Sequence, residues 1–188
     1  MSTIYEPAED TFLMEKVLRK FLPKLLKQNP NLKFLEIGCG SGYNLQIAKK
    51  LGVKNIFSCD INLDAVKHCK KLGFNCIESN LFSNIKGKFD LIIFNPPYLP
   101  EDKLEPKDSK LATTGGKLGS ELINKFLEQS KKHLNSEGKI FLLISNLTKG
   151  INWQNYNKKL VAKEKIFFEE LRVYALSPQI SKTFFLIF

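Results

Sequence analysis

Short apolar runs alternate with amphipathic segments along most of this chain, and this alternation constrains the fold more than any other feature. Each run has the length of a buried strand, and the segment after it repeats apolar residues at helical spacing. Parallel strands need a crossover helix, so the pattern predicts an α/β fold. The predicted strands are 32–37, 56–61, 75–78, 89–94 and 139–145, and the predicted helices are 11–26, 43–51, 63–72, 120–134 and 151–159.

The tail of the chain departs from this alternation. Two strand-like segments, 161–176 and 182–188, are separated by Ser177-Pro178-Gln179, which is typical of a turn. We therefore predict a Rossmann-like, seven-stranded, mostly parallel sheet with helices on both faces and a C-terminal antiparallel hairpin. With 188 residues, the chain is expected to form one domain over 1–188, with a short helical segment at about 1–30.

Composition narrows the classes of protein to consider. No apolar stretch reaches the length of a membrane span, and residues 1–7 lack the features of a signal peptide, so a cytoplasmic protein without membrane partners is expected. Cys39, Cys59, Cys69 and Cys76 show no Cys-x-x-Cys spacing. We interpret them as reduced thiols in or near strands, and no metal site is predicted.

The formal charge of +10 suits a protein that works near nucleic acid. Most cations, however, are lysines scattered through amphipathic segments, and arginine occurs only at Arg19 and Arg172. A solvated surface explains most of these lysines, so nucleic acid is retained only as the less favoured partner.

A glycine-rich turn follows the first predicted strand, in the segment 36–42 (Glu-Ile-Gly-Cys-Gly-Ser-Gly). Gly38 and Gly40 let the backbone turn tightly and approach a ligand, as in both nicotinamide-binding folds and methyltransferases. Asp60 ends the second strand, where it can bind ribose hydroxyls; capping the next helix is a role better suited to Asn62. Glu36 repels a pyrophosphate but attracts an ammonium or sulfonium, which favours S-adenosylmethionine.

The segment Asn95-Pro96-Pro97-Tyr98 follows the fourth predicted strand, where an open α/β sheet places its chemistry. Asn95 offers an amide, Pro96 a carbonyl without an N–H, and Tyr98 a flat ring, so the segment can hold a planar NH₂ group. The alternative is a Pro-Pro turn that merely closes the strand.

In this order and spacing, the segment 36–42, Asp60, Asn80-Leu81-Phe82 and Asn95-Pro96-Pro97-Tyr98 resemble class I S-adenosylmethionine-dependent methyltransferases that modify amide or exocyclic amino nitrogens. Residues 5–11 (Tyr-Glu-Pro-Ala-Glu-Asp-Thr) and 115–119 (Gly-Gly-Lys-Leu-Gly) narrow the resemblance. Both are similar to the archaeal and eukaryotic branch of the HemK-like release-factor glutamine N5-methyltransferases. The likeness extends from about Tyr5 to Ser145.

The resemblance implies a set of cofactor contacts. Glu36 would lie beside the methionine amine, Asp60 on the ribose, and Asn80 with Leu81 near the adenine. Relatives often carry Asp at the position of Asn80. The implied cofactor-binding residues are Thr11, Glu36, Gly38, Gly40, Asp60, Asn80, Leu81 and Asn95.

The same resemblance implies catalytic roles for Asn95, Pro96 and Tyr98, and substrate contacts from Asn95, Pro97 and Tyr98. Amide hydrogens of the substrate would bond to the Asn95 side-chain oxygen and the Pro96 carbonyl, and Tyr98 would stack on the planar group. No general base is expected, because His68 and His133 fall in predicted helices.

The implied substrate is the glutamine of a Gly-Gly-Gln motif in a peptide chain release factor. Two alternatives stay open: an adenine-N6 methyltransferase acting on DNA or RNA, and a non-catalytic binding protein with the same fold. The branch also implies a small zinc-binding activator subunit that covers an exposed sheet edge, here the strand 75–78. That edge could instead be protected by Lys70, Lys71 and Lys86.

Overall fold

The computed structural model describes residues 4–100 and 115–179. Within these ranges no helix has the length and apolar character needed to cross a membrane. The strands are β1 (Lys33–Ile37), β2 (Asn55–Asp60), β3 (Asn75–Glu78), β4 (Phe89–Phe94), β5 (Leu134–Ser145), β6 (Tyr156–Ile166) and β7 (Glu169–Pro178). The helices are α1 (Glu9–Gln28), α2 (Tyr43–Lys50), α3 (Leu63–Lys71) and α4 (Glu121–Ser130), followed by a 3-10 helix at Lys131–His133.

The strands form one seven-stranded sheet in the order β3-β2-β1-β4-β5-β7-β6. The strands from β3 to β5 are parallel, and β7 pairs antiparallel with both β5 and β6. The strand order therefore reverses between β1 and β4, which is where open α/β sheets bind ligands. This topology confirms the predicted Rossmann-like sheet with its antiparallel hairpin.

Alternate residues of the central strands supply two separate cores, one on each face of the sheet. Phe34 of β1 and Ile93 of β4 pack with α1, α2 and α3, whereas Leu35 and Ile92 pack with α4. Both faces are buried, which explains why β1 and β4 read as continuous apolar runs. The two cores fix the helices around the carboxyl ends of the strands.

Most predicted elements are confirmed within two or three residues. The strands β3 and β4 match the predicted bounds, and Asn62 caps α3 through a bond from the Asp64 N–H at 2.9 Å. The strand β5 begins earlier than predicted, at Leu134, because the helix before it ends at Ser130. Cys69 lies in α3, but its sulfur is within 4.8 Å of that of Cys76 in β3, so it is near a strand as predicted.

The predicted helix at 151–159 is wrong, because β6 begins at Tyr156. The Tyr156 hydroxyl lies 2.8 Å from the Ser130 hydroxyl and is buried, which holds the start of β6 against α4. Most of β6 is exposed or half-buried and rich in lysine, so it lacks the continuous apolar run that marks the inner strands β1 and β4.

The position of the hairpin turn is also corrected. The predicted strand 161–176 is in fact divided between β6 and β7, and the turn lies at Phe167-Phe168 rather than at Ser177-Pro178-Gln179. Phe167 has φ of +52°, and Phe168 is 94% exposed. Phenylalanine is not a typical turn residue, so the sequence did not indicate a turn here. The predicted strand at 182–188 lies outside the described residues.

Candidate active site

An open cleft of about 1990 Å³ lies at the carboxyl ends of β1, β2 and β4. Its walls come from the turn after β1, the ends of β2 and β3, the exit of β4 and one face of α4. The structure therefore brings to one place the residues predicted from separate motifs. Those that line the cleft are Thr11, Glu36, Gly38, Gly40, Asp60, Asn80, Leu81, Asn95, Pro96 and Pro97.

The turn after β1 is built to leave its backbone accessible to a ligand. Gly40 has φ of +48°, a left-handed backbone conformation that residues other than glycine rarely adopt. A Cβ at this position would also lie 3.5 Å from the Tyr5 carbonyl oxygen, so the N-terminal segment packs closely over the turn.

Asp60 joins this turn to the start of α3. Its Oδ2 accepts a hydrogen bond from the Gly40 N–H at 2.9 Å, and its Oδ1 accepts one from the Asn62 N–H at 2.8 Å. Burial raises the pKa of Asp60 despite these bonds. Asp60 thus braces the glycine turn, and each oxygen retains capacity for a further donor.

Glu36 is a buried acid with one oxygen free. The side chain is only 3% exposed, and its Oε1 accepts a bond from Asn44 Nδ2 at 3.1 Å. Its Oε2 and the Asn44 Oδ1 have no hydrogen-bond partner among the described residues. Burial raises the pKa of Glu36 well above its usual value. The pair offers two buried acceptors, which suit a cationic or N–H donor.

Asp10 fixes the orientation of the Asn95 amide. The Asn95 Nδ2 donates to Asp10 Oδ2 at 3.0 Å, and a carboxylate oxygen requires the donating end of an amide. The Asn95 Oδ1 is consequently the end of the amide that faces away from Asp10; it is buried and has no partner in the part of the chain described. One oriented acceptor is therefore available beside the cleft.

Asp10 is itself held in place from several sides. It is 6% exposed, and its Oδ1 accepts the Thr11 N–H at 2.6 Å while its Oδ2 accepts the Tyr5 hydroxyl at 3.0 Å. Burial, followed by the charge of Asp10, raises the pKa of Tyr5. These bonds link the start of α1 to the exit of β4.

Tyr98 is the one predicted site residue that does not line the cleft. It packs against both cores, and its backbone carbonyl accepts the Thr148 hydroxyl at 2.8 Å. Burial, followed by the charge of Asp10, raises its pKa. In this structure Tyr98 therefore stabilises the chain where it leaves β4, by packing against both cores.

The glycine segment 115–119 lies directly against this exit. The Gly115 N–H donates to the Leu99 carbonyl at 2.9 Å. A Cβ on Gly119 would overlap the Tyr98 carbonyl oxygen, so only glycine allows this approach. The segment 115–119 thus packs against the Asn-Pro-Pro-Tyr backbone at a distance that requires glycine.

The far end of the cleft is more open. Asn80 is exposed and Leu81 is buried with φ of +52°, and both line the wall. His133 also lines it, but its ring stacks on Phe82 at 4.7 Å and its Nδ1 lies 3.1 Å from the Gly87 carbonyl. These contacts give His133 a structural role.

Comparison with known proteins decides the family. Residues 17–163 match the family described as "Methyltransferase small domain". The chain belongs to this methyltransferase family. Sequence relatives agree with the match. A candidate protein N5-glutamine methyltransferase of Methanocaldococcus jannaschii is 38% identical over 184 residues, covering 90% of this chain and 89% of that protein.

Two further similarities bear on the branch of the family. The eRF1 methyltransferase catalytic subunit mtq2 of Schizosaccharomyces pombe is 32% identical over 166 residues, covering 74% of this chain and 71% of that protein. The structure of the E. cuniculi Mtq2-Trm112 complex, described as responsible for methylation of the eRF1 translation termination factor, matches with a TM-score of 0.71. At 23% identity, covering 95% of this chain and all of the matched chain, it supports the fold. The named relatives confirm the resemblance to the HemK-like methyltransferases.

The sequence did not identify two residues that line the cleft, Asp10 and Asn44. Asp10 stands inside the segment 5–11 that carried the resemblance, but nothing in the sequence shows that it meets Asn95, 85 residues away. Asn44 lies in the first turn of α2, where side chains next to a ligand-binding turn are natural candidates. That position was the available signal.

Proposed function

We propose that this methyltransferase modifies the side-chain N5 of glutamine in the Gly-Gly-Gln motif of a peptide chain release factor, as part of translation termination in the cytoplasm. The observation that carries the proposal is the Asn95 Oδ1, a buried acceptor that Asp10 orients and no described residue satisfies. The next carbonyl along the chain, that of Pro96, lies in the same cleft wall. The names of the sequence relatives support the glutamine substrate.

Catalysis on an amide nitrogen is mainly a matter of positioning. The nitrogen lone pair is delocalised, so the nucleophile must be aligned closely with the methyl donor. The Asn95 Oδ1 and the Pro96 carbonyl would accept its two hydrogens, and the proline ring brings no competing N–H donor. After transfer, the extra proton would pass to water. Tyr98 would contribute indirectly, because its packing holds the backbone of Asn95 and Pro96 in place.

The cleft also suits S-adenosylmethionine, which supplies the methyl group when it is bound. Glu36 and Asn44 present unpartnered buried acceptors, as the ammonium of a methionine moiety requires. Asp60 retains acceptor capacity for ribose hydroxyls, and Asn80 with Leu81 forms the wall for the adenine. Thr11, Gly38 and Gly40 would complete the site.

The test is methylation of a purified release factor, followed by mass spectrometry of the Gly-Gly-Gln peptide. We expect one added methyl on the glutamine and none when that glutamine is replaced by alanine. Asn95→Ala should lower the rate by about 10² or more, because it removes an oriented acceptor, while cofactor affinity stays within about tenfold. Activity retained in Asn95→Ala would contradict the amide-holding mechanism.

An adenine-N6 methyltransferase is the second candidate, since the same acceptors could hold an exocyclic amine. Lys125 of α4 and Lys132 of the following 3-10 helix line the cleft and add positive charge beside it. A nucleic-acid substrate also requires unstacking of the base and a surface for the backbone. N6-methyladenine formation with an unmodified release factor, in parallel reactions, would reverse this ranking.

We further propose that a small zinc-binding activator subunit covers the edge of the sheet at β3. Support comes from the position of β3 at the end of the strand order and from the relative named as a catalytic subunit. An unpaired strand edge favours addition of a partner strand. Assays should therefore be run with and without a co-expressed activator.

A further inference from the structure

Three cysteines that are far apart in sequence meet beneath the cofactor cleft. Cys39 lies in the turn after β1, Cys69 in α3 and Cys76 in β3. Cys39 Sγ is 3.4 Å from Cys76 Sγ and 3.3 Å from Cys69 Sγ, and the three sulfur atoms all lie within 4.8 Å of one another. Their exposed fractions are 5%, 0% and 1%, so all three cysteines are buried.

From this geometry we propose that Cys39, Cys69 and Cys76 form a binding site for one thiophilic divalent metal ion, such as Zn²⁺ or Cd²⁺. Zinc–sulfur bonds are about 2.3 Å long, so three sulfur atoms at these separations can all reach one ion after shifts of a few tenths of an ångström. Each thiol would bind as a thiolate and release its proton to water. Soft thiolate ligands select this class of ion over Mg²⁺ or Ca²⁺.

The surroundings supply an entry path and a candidate fourth ligand. Cys39 lines the cleft, whereas Cys69 and Cys76 do not, so an ion would enter past Cys39. The Gly40 carbonyl oxygen lies 3.6 Å from Cys69 Sγ and is the candidate fourth ligand, a position that water could also fill.

Charge favours a divalent over a monovalent ion. A site of three thiolates with a divalent ion carries one net negative charge, whereas the same site with a monovalent ion carries two. The carboxyl groups of Glu36 and Asp60 interact electrostatically with Cys76, so extra negative charge here is unfavourable. Bound in this way, the ion would tie the turn after β1 to α3 and β3.

Cadmium titration of the reduced, chelator-treated protein tests the proposal, because cadmium thiolates give a charge-transfer absorption in the near ultraviolet. We expect the absorption to saturate at one ion per chain and the thermal midpoint of unfolding to rise. Cys39→Ser and Cys76→Ser should each weaken binding at least tenfold. Cys59→Ser is the matched control: Cys59 is also buried, but it donates to the Leu81 carbonyl at 3.4 Å and lies outside the cluster.

A second measurement needs no variant and so does not depend on whether a cluster variant folds. In the wild-type protein, Cd²⁺ or Zn²⁺ should slow alkylation of Cys39, Cys69 and Cys76, read by mass spectrometry, while Cys59 reacts as before. Equal protection of Cys59, absence of the charge-transfer band, or wild-type affinity in Cys39→Ser would each overturn the proposal. Neither readout depends on methyltransferase activity.

Discussion

Three buried acceptor atoms in the cleft have no partner among the described residues: Glu36 Oε2, Asn44 Oδ1 and Asn95 Oδ1. Each such atom costs about 1–3 kcal/mol relative to a satisfied one. All three belong to residues that line the same cleft, and each can accept a hydrogen bond, Glu36 Oε2 when its carboxyl group is ionised. A ligand rich in donors, with an ammonium and an amide NH₂, would satisfy them together.

Glu36→Gln should separate stability from cofactor binding. Burial raises the pKa of Glu36 in the folded protein, so the native state retains a proton that the unfolded state loses. Wild-type stability should therefore fall as pH rises from the ordinary glutamate range through the raised folded value. The Gln variant should lack this decline, and it should bind S-adenosylhomocysteine about 1.5–3 kcal/mol more weakly.

Urea unfolding from pH 4 to 8 and calorimetric titration measure these two effects. Gln has nearly the same shape and can still accept from Asn44 Nδ2, so a packing defect is not expected. Parallel stability curves for wild type and Glu36→Gln would contradict the pKa argument, and unchanged affinity would contradict the ammonium contact.

Asp10→Asn tests the orientation of Asn95. An amide at position 10 can present its own NH₂ to Asn95 and so favour the flipped amide, with the nitrogen toward the substrate. We expect kcat to fall about 10–10²-fold, with cofactor affinity changed by less than about threefold. Tyr5→Phe is the control, because it removes the 3.0 Å bond to Asp10 and leaves the bond to Asn95. Equal loss in both variants would indicate a general packing effect.

At the scale of elements, sequence patterns predicted the strands and helix ends that are determined by residues close together in the chain. The strands β1 and β4 are apolar on both faces, and Asn62 has a side chain that suits a helix cap. The local sequence was therefore enough to predict these two strands and the start of α3. The β6–β7 hairpin was placed wrongly because its turn uses Phe167 and Phe168, and most of its edge strand β6 is exposed or half-buried. Pairing with β5, which decides the register of β7, leaves no mark in the local sequence.

Gly119→Ala should disturb the exit of β4. The residue has φ of +79°, and its Cβ would overlap the Tyr98 carbonyl oxygen, so the segment 115–119 must move away from the Asn-Pro-Pro-Tyr backbone. Gly87→Ala is a matched control, with φ of +89° and nothing within 4 Å of its Cβ. The control should lose about 1–2 kcal/mol of stability and keep its activity.

Chemical unfolding and methyltransferase assays compare the two variants. We expect Gly119→Ala to lose more stability than Gly87→Ala and at least tenfold in activity. Similar behaviour of both variants would mean that backbone conformation, and not the close approach to Tyr98, is what the glycine provides.

At the scale of the whole molecule, the topology assembles a site that the sequence shows only in pieces. The motifs around Glu36, Asp60 and Asn95 could be predicted because each follows a strand end, and strand ends of a parallel sheet share one edge. The bond between Asp10 and Asn95 could not, since it depends on how α1 lies over the sheet. The sulfur cluster was hidden for the same reason, because Cys39, Cys69 and Cys76 have no regular spacing.

The edge strand β3 yields the last prediction, which concerns the proposed activator. The Ser79 N–H donates to the Asp60 carbonyl at 2.9 Å, so backbone N–H groups at alternate positions face β2 and the N–H of Glu78 points away from the sheet. Glu78→Pro removes that outward donor without removing a bond to β2, whereas Glu78→Ala keeps it. If the activator adds a strand at this edge, Glu78→Pro should weaken the complex at least tenfold and Glu78→Ala should leave it within about threefold. Titration of each variant with the purified activator measures this, with the thermal midpoint of unfolding as the check on folding. Equal binding by both variants would place the activator elsewhere, because an added strand needs the backbone donors of the edge that it joins.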